Sequence, residues 1–215
     1  MIVYGSSLSP FVRKVLVFAA EKGIEVESKP VGLGSDDPEF IEASPFKKIP
    51  GFRDGDFAIS DSTAIIAYLD ALQPEPNLIP TEPRARARTV WYEEFADTIL
   101  NACGAKMFFN RVVAPRFLGR EGDEAAAQEA ECNELPRLLD YLERVIPDSG
   151  FLVEDRLTLA DIAVASPFVN LKHLEFVVDS ERYPKLTAYV GAILERPSFQ
   201  KWIDKEIAFF ARMAA

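Results

Sequence analysis

A proline-rich stretch divides the chain into two parts with different patterns. The segment PEPNLIPTEPRAR, which begins at Pro74, holds four prolines among thirteen residues, and proline interrupts helices and central strands alike. Short strand-like and helix-like segments alternate before it, whereas long helix-like segments follow it. We therefore predict an α/β domain over residues 1–74, a linker over 75–84 and an all-helical domain over 85–215.

The first part follows the order βαβ, then a short helix, then ββα. MIVY predicts the first strand, and the helix after it begins at Pro10. A second strand is expected within the run from Val26 to Leu33, and a short helix begins at Pro38. The pair Asp54-Gly55 lies between two apolar segments and predicts a hairpin with a type I′ turn.

The second part carries the apolar spacing of amphipathic helices. A kink or a break is expected at Pro136, because proline inside a helix removes a hydrogen bond. Thr158 and Asp161 have the spacing of a capping box, which predicts a buried helix start. The predicted helices span residues 84–113, 123–145, 158–174, 184–195 and 197–213.

Composition excludes several classes of function. Lys and Arg number 24 against 34 Asp and Glu, a formal net charge of −10, which argues against a general binder of nucleic acid or anionic membranes. No apolar stretch reaches the roughly 18 residues of a membrane span, and we expect a cytoplasmic protein. One histidine and two widely separated cysteines predict no metal site.

Three serines, Ser6, Ser7 and Ser9, precede the first predicted helix. Because proline is best tolerated at the first helical position, Pro10 makes Ser9 the N-cap, with its hydroxyl beside the unpaired amides of the first turn. This role is common in proteins and by itself indicates no activity.

Four motifs, taken in order, resemble the cytosolic glutathione S-transferase family over essentially the whole chain. They are Ser9 placed four residues before Arg13, the loop KKIPGF, the turn SDSTAI and the helix-capping segment LTLADIAVAS. Each is weak alone, whereas their order and spacing together are specific. The form SPFVRK is most similar to bacterial serine-type members.

The resemblance implies a thioredoxin-like first domain that binds glutathione as co-substrate, and a helical second domain that completes a pocket for a small hydrophobic electrophile. It implies Ser9 as the catalytic residue and a homodimer formed between unlike domains of two subunits. The implied contacts of glutathione are Phe11, Lys48, Ile49, Pro50, Asp61 and Ser62.

The chemistry of these residues agrees with the resemblance. Ser62 at a helix N-terminus suits the γ-glutamyl carboxylate, and Asp61 suits the ammonium group, although helix capping alone explains the pair equally well. The resemblance places a cis peptide bond before Pro50, which leaves the main chain of Ile49 free to pair with a bound peptide. Lys48 suits the glycyl carboxylate, although a solvated surface lysine is the commoner role.

A serine hydroxyl stabilises a thiolate as a hydrogen-bond donor. Lowering a thiol pKa by two units from about 8.5 needs roughly 2.7 kcal/mol, and one hydrogen bond to a charged group supplies about 1.5 to 3 kcal/mol. Ser9 with the helix end behind it is therefore sufficient. Ser6 and Ser7 stay as alternatives, while Tyr4 is predicted to be core and Arg13 structural.

An apolar wall for the electrophile is expected where the two domains meet. Aromatic residues at helical spacing are also typical of a packed core, and Phe11 is a further candidate for this wall. Cys103 and Asn110 are expected beside it. The predicted wall residues are Phe108, Phe109, Val112 and Phe210.

The leading prediction is an enzyme that activates the glutathione thiol for attack on an electrophile, by conjugation, dehalogenation or ether cleavage. Two alternatives are a glutathione-dependent reductase or peroxidase, which would have to use bound glutathione itself because Ser9 stands where a cysteine is needed, and a non-catalytic glutathione-binding or assembly module.

Overall fold

The computed structural model describes residues 1–32 and 34–214. The chain forms two compact units. The first comprises Met1–Ile79 together with the segment that starts at Arg196, and the second comprises Pro80–Glu195. Among the described residues, no helix is both long enough and apolar enough to cross a membrane.

The first unit contains a four-stranded sheet in the order β2-β1-β3-β4. β1 pairs parallel with β2 and antiparallel with β3, and β3 pairs antiparallel with β4. The predicted order βαβ-α-ββα is therefore confirmed. The elements are β1 (Ile2–Tyr4), α1 (Pro10–Glu21), β2 (Glu27–Lys29), α2 (Pro38–Ala43), β3 (Gly51–Asp54), β4 (Phe57–Ser60) and α3 (Ser62–Leu72).

Two details differ from the sequence prediction. The second strand is shorter than the run proposed for it, and Leu33 in that run lies outside the described residues. The predicted type I′ turn is wrong. Asp54 pairs with Phe57, so the turn residues are Gly55 and Asp56, and of these two Gly55 has a positive φ, of 60°. A glycine at the first turn position with an ordinary residue after it is the pattern of a type II′ turn.

The last helix, α11 (Pro197–Ala214), belongs to the first unit, although the sequence pattern grouped it with the helical domain. Polar contacts tie it to α1. Near its start, the Arg196 guanidinium donates to both carboxylate oxygens of Glu21, at 2.8 and 2.7 Å, and Ser198 donates to the same carboxylate. The apolar stripe that it buries includes Phe199, Trp202 and Ile203.

The second unit is entirely helical in its described elements. The two long segments predicted first are interrupted by π-helical turns, and the turn at 130–134 ends directly before Leu135 and Pro136, where a kink or a break was expected. The helices are α4 (Pro83–Glu94), α5 (Asn101–Phe108), α6 (Ala114–Phe117), α7 (Glu124–Glu129), α8 (Leu135–Val145), α9 (Leu159–His173) and α10 (Pro184–Leu194), with π-helical turns at Phe95–Leu100, Phe109–Val113 and Ala130–Glu134.

The predicted capping box organises the centre of this unit. The buried Asp161 carboxylate accepts from the N–H groups of Thr158 (2.8 Å) and Leu152 (2.9 Å) and from the Tyr189 hydroxyl (3.2 Å). Burial outweighs these hydrogen bonds and raises the pKa of Asp161. The start of α9 is thus held by interactions within the second unit itself.

Candidate active site

Three segments that were predicted to bind glutathione meet at one edge of the sheet. Tyr4 at the end of β1 pairs with Gly51 at the start of β3, and Gly51 pairs with Ser60 at the end of β4. The serine segment (residues 6–9) follows the first of these residues, the proline loop (residues 44–50) precedes the second, and the SDSTAI turn includes the third. Sheet register therefore brings together motifs that lie far apart in the sequence.

Gly5 allows two of these segments to approach closely. Its φ is 135°, and a Cβ atom at this position would lie 2.7 Å from Cγ2 of Val12 and 2.9 Å from Cβ of Ile49. A side chain here would push the first turn of α1 away from the proline loop. Glycine at this position is thus part of how the fold builds the site.

Ser9 is the N-cap of α1, as predicted, but its hydroxyl does not act as a cap. Its backbone is extended (φ −78°, ψ 124°), Pro10 follows at the first helical position, and the Ser9 side chain accepts no hydrogen bond from the helix amides. The Ser9 carbonyl accepts from the Arg13 N–H at 2.9 Å, and its own N–H donates to the Ser6 carbonyl at 3.0 Å. The main chain is fixed, while the half-buried hydroxyl is not used by α1.

The alternatives to Ser9 differ in their surroundings. Ser6 Oγ accepts from the Leu8 N–H at 3.3 Å, a local turn contact. Tyr4 is fully buried and donates from its hydroxyl to Glu39, which confirms its assignment to the core. Ser7 is half-buried and remains an alternative to Ser9.

The proline loop contains a cis peptide bond between Ile49 and Pro50. None of the described residues forms a hydrogen bond with the main chain of Ile49. The preceding residue is held by Ser44, whose Oγ donates to the Lys48 carbonyl at 2.6 Å and accepts from the Lys48 N–H at 3.0 Å. The sequence analysis missed Ser44, although serine before proline (Pro45) is a common turn signal.

The two lysines of this loop are not equivalent. Lys47 has a positive φ of 54°, and its ammonium group forms an ion pair with Asp36 at 2.5 Å. The Lys48 side chain is exposed and forms no ion pair within the described part of the chain. Lys48 is therefore the lysine of the loop whose charge is open to an external carboxylate.

Asp61 and Ser62 form the third segment. Asp61 has a φ of 83°, which is uncommon for a residue other than glycine. One oxygen of its carboxylate accepts from the N–H groups of Thr63 (2.9 Å) and Ala64 (3.1 Å), so Asp61 does cap α3. Ser62 is buried at the first position of that helix.

The predicted wall residues differ in how exposed they are. In the second unit, Phe108 and Val112 are buried, while Phe109 is partly exposed with Arg120 over its ring at 5.4 Å. In the first unit, Phe11 is half-buried, and so is Phe210, which packs edge-on against Phe209. That these residues contact the electrophile stays a prediction.

Cys103 and Asn110, which were expected beside the wall, are occupied locally. Burial raises the pKa of the Cys103 thiol to about 11, which makes it unreactive near neutral pH. The Asn110 amide donates to the Lys106 carbonyl at 2.9 Å and accepts from the Asp123 N–H at 3.0 Å. Both side chains therefore have a structural explanation.

Comparison with known proteins decides the family. The model of the glutathione S-transferase N-terminal domain matches residues 3–77, and that of the glutathione S-transferase C-terminal domain matches residues 108–206. A glutathione S-transferase of Hyoscyamus muticus is 31% identical over 95% of this chain and 98% of its own length. The chain belongs to the glutathione S-transferase family.

Other relatives of this glutathione S-transferase agree. Glutathione S-transferase F6 of Arabidopsis thaliana is 29% identical over 93% of this chain and 97% of the relative. The structure of glutathione S-transferase-I bound with lactoylglutathione has a TM-score of 0.83 at 24% identity, covering 94% of this chain and 98% of that one, and it supports the fold. The protein is accordingly a transferase with glutathione as co-substrate. The comparisons support neither alternative function, and they do not assign it to a bacterial serine-type subclass.

The transferase also contains a buried ion pair that the sequence analysis missed. The Arg13 guanidinium donates from Nε to Glu206 Oε1 at 3.2 Å and from Nη2 to Oε2 at 2.9 Å. Arg13 is 0% exposed and Glu206 is 2% exposed. A signal was present, because Glu206 falls on the apolar stripe of α11 four residues after Trp202. A charge on such a stripe indicates a buried partner.

Proposed function

We propose that this protein is a serine-type transferase in which the Ser9 hydroxyl donates a hydrogen bond to the thiolate of glutathione. The observation that carries the proposal is the N-terminus of α1, where the N-cap hydroxyl is left unused by the helix. A donor at this position faces a negatively charged sulfur with the helix dipole behind it. The thiolate then becomes the nucleophile near neutral pH.

The remaining contacts of glutathione are proposed from the groups at the same sheet edge. The unpaired main chain of Ile49 pairs with the peptide, and the exposed ammonium of Lys48 meets the glycyl carboxylate. The α3 N-terminus with Ser62 receives the γ-glutamyl carboxylate. Asp61 uses one carboxylate oxygen for the helix cap and leaves the other for the ammonium group.

The reaction is attack of the sulfur on an electrophilic carbon of a small hydrophobic molecule. A sulfur–carbon bond forms, and in a displacement the leaving group departs with its electron pair. The thiol proton has already passed to solvent, because Ser9 acts as a donor and does not accept it. The residues proposed to contact the apolar part of the electrophile are Phe11, Phe108, Phe109, Val112 and Phe210.

We also propose a cytoplasmic homodimer. Phe46, in the proline loop of the first unit, is 85% exposed. In the second unit, Trp91 is 50% exposed and donates to the Tyr141 hydroxyl at 3.0 Å, which presents an aromatic surface. Phe46 of one copy packs on this surface of a second copy.

Sedimentation velocity tests the dimer. Phe46→Ala is expected to shift the protein to monomers, whereas Phe57→Ala, at a less exposed phenylalanine of the same unit, is the matched control. A dimer unaffected by Phe46→Ala contradicts the proposed contact.

The test of the catalytic proposal follows the ultraviolet absorbance of bound thiolate across pH. The parent is expected to lower the thiol pKa of glutathione, and Ser9→Ala to restore it toward the free value. Ser7→Ala is the matched control and is expected to behave as the parent. A pKa restored by Ser7→Ala instead would transfer the role to Ser7, and an unshifted pKa in the parent would reject serine activation.

A further inference from the structure

The buried Arg13–Glu206 pair joins α1 and α11, two helices of the first unit that carry proposed site residues. Arg13 is four residues after Ser9 on α1, and Glu206 is four residues before Phe210 on α11. Both carboxylate oxygens and two guanidinium nitrogens take part, which fixes direction as well as distance. The pair is sequestered from solvent, so salt screens it much less than it would screen an exposed pair.

Two sets of contacts show how the helices run. Glu21 near the end of α1 contacts Ser198 at the start of α11, and Arg13 near the start of α1 contacts Glu206. Glu21 and Arg13 are eight residues apart, as are Ser198 and Glu206. The two helices are therefore antiparallel and keep the same register over about two turns, because each residue advances a helix by about 1.5 Å.

Continuing this register by one turn brings the end of α11 to the start of α1. One turn before Arg13 is Ser9, and one turn after Glu206 is Phe210. Phe210 is half-buried and stacks edge-on with Phe209, with ring centroids 5.8 Å apart. An aromatic pair is thus placed at the level of the N-cap serine.

The ion pair holds α11 to α1 one turn before this aromatic pair. Beyond Glu206 only two turns of α11 remain among the described residues, and their solvent side is open from Ile207 onward. Helix ends fray more readily than helix interiors. Losing the bond at Glu206 would release the turns that carry Phe209 and Phe210 without touching the thiol site directly.

We propose that Glu206 is a positioning residue for the transfer reaction, which holds Phe210 beside Ser9 as a wall for the apolar part of the electrophile. This inference rests on the proposed function. Glu206 then influences which electrophiles bind, although its carboxylate touches neither glutathione nor the electrophile. The substrates it favours carry an apolar alkyl or aryl group on the carbon that the sulfur attacks.

The test compares two glutathione derivatives by titration calorimetry. S-methylglutathione reports the thiol site alone, while S-hexylglutathione adds an apolar chain that needs the wall. The parent is expected to bind the hexyl compound more tightly. Glu206→Gln should reduce this preference about tenfold, within the range that apolar contacts give, and leave the affinity for the methyl compound unchanged.

Phe210→Ala should reduce the preference in the same way, and the double variant should be no worse than Phe210→Ala, because Glu206 acts through Phe210. Glu206→Asp keeps the charge and should lose less, and it replaces Glu206→Gln if that variant does not fold. Glu21→Gln is the matched control, since it breaks the other anchor of the same helix pair. It should leave the preference intact.

Three outcomes overturn the inference: a preference unchanged by Glu206→Gln and Phe210→Ala, an equal loss for both compounds in Glu206→Gln, or no preference in the parent. Failure of the proposed function is separate. It would appear as absent binding of S-methylglutathione or as a thiol pKa indifferent to Ser9→Ala.

Discussion

Two helices begin at the same edge of the sheet, and they treat their free amides differently. At α3, the Asp61 carboxylate accepts from the N–H groups of Thr63 and Ala64. At α1, the Ser9 hydroxyl accepts from no helix amide, and Pro10 has no N–H to offer. The start of α3 is capped by its own N-cap side chain, whereas the start of α1 has no side-chain cap.

The difference between the two helix starts distinguishes a contribution to stability from a contribution to function. A capping side chain contributes about 1 kcal/mol to stability, and α1 does without that contribution. In the proposed reaction, the N-terminus of α1 meets a thiolate. In the same proposal, the Asp61 carboxylate both caps α3 and binds the ammonium group of glutathione. Substitutions at helix starts should therefore affect folding and catalysis in different proportions.

The largest effect on stability is expected at the start of α9, where the buried Asp161 carboxylate accepts several hydrogen bonds. Asp161→Ala leaves two buried N–H groups and the Tyr189 hydroxyl without their acceptor. Since each such loss costs about 1 to 3 kcal/mol, stability should fall by about 3 kcal/mol or more in urea unfolding. Asp123→Ala removes an exposed cap of α7 and should cost about 1 kcal/mol. Equal losses would contradict this account.

Ser9→Ala should instead lower activity strongly and stability very little. One hydrogen bond to a charged group is worth about 1.5 to 3 kcal/mol, so kcat/KM should fall roughly ten- to hundredfold near neutral pH. The fall should shrink as the pH rises above the thiol pKa of free glutathione, because the thiolate then needs no stabilisation. Thermal stability should stay nearly constant. A lower melting temperature with unchanged kcat/KM would identify a structural serine.

Asp61 allows its two roles to be separated. Asparagine also caps helices, so Asp61→Asn should keep the stability of the parent while it removes the charge proposed to meet the ammonium group. We expect KM for glutathione to rise about five- to tenfold, which corresponds to a modest charged hydrogen bond. Asp61→Ala should raise KM and also cost about 1 kcal/mol of stability. A KM for glutathione that neither variant changes would leave Asp61 as a cap alone.

The smallest effect is expected at the lysines of the proline loop. Lys48→Ala should raise KM for glutathione about two- to fivefold, the range of an exposed ion pair. Lys47→Ala is the matched control, because Lys47 is already paired with Asp36. Steady-state kinetics at low salt measures both, and a larger effect of Lys47→Ala would reverse the assignment.

Much of the fold followed from local patterns. Pro10 placed the N-cap at Ser9, and Pro136 lies just after a π-helical turn in a helical stretch that continues through it. Thr158 and Asp161 predicted the start of α9. The hairpin was also found, but its turn type was wrong, because Asp54 pairs in the strand and shifts the turn by one residue. The local sequence pattern located this hairpin but did not show which two residues form its turn.

The sequence by itself determined the order of the elements, the N-cap serine and the motifs that resemble the glutathione S-transferase family, because these depend on propensities and spacings within a few residues. Only the tertiary structure decided that the Ser9 hydroxyl does not cap α1 and that Glu206 meets Arg13. It also decided that Lys47 forms an ion pair, whereas Lys48 forms none with the described residues. Periodicity shows that a residue lies on a buried face. Its partner, here at the opposite end of the chain, is chosen by how the helices pack.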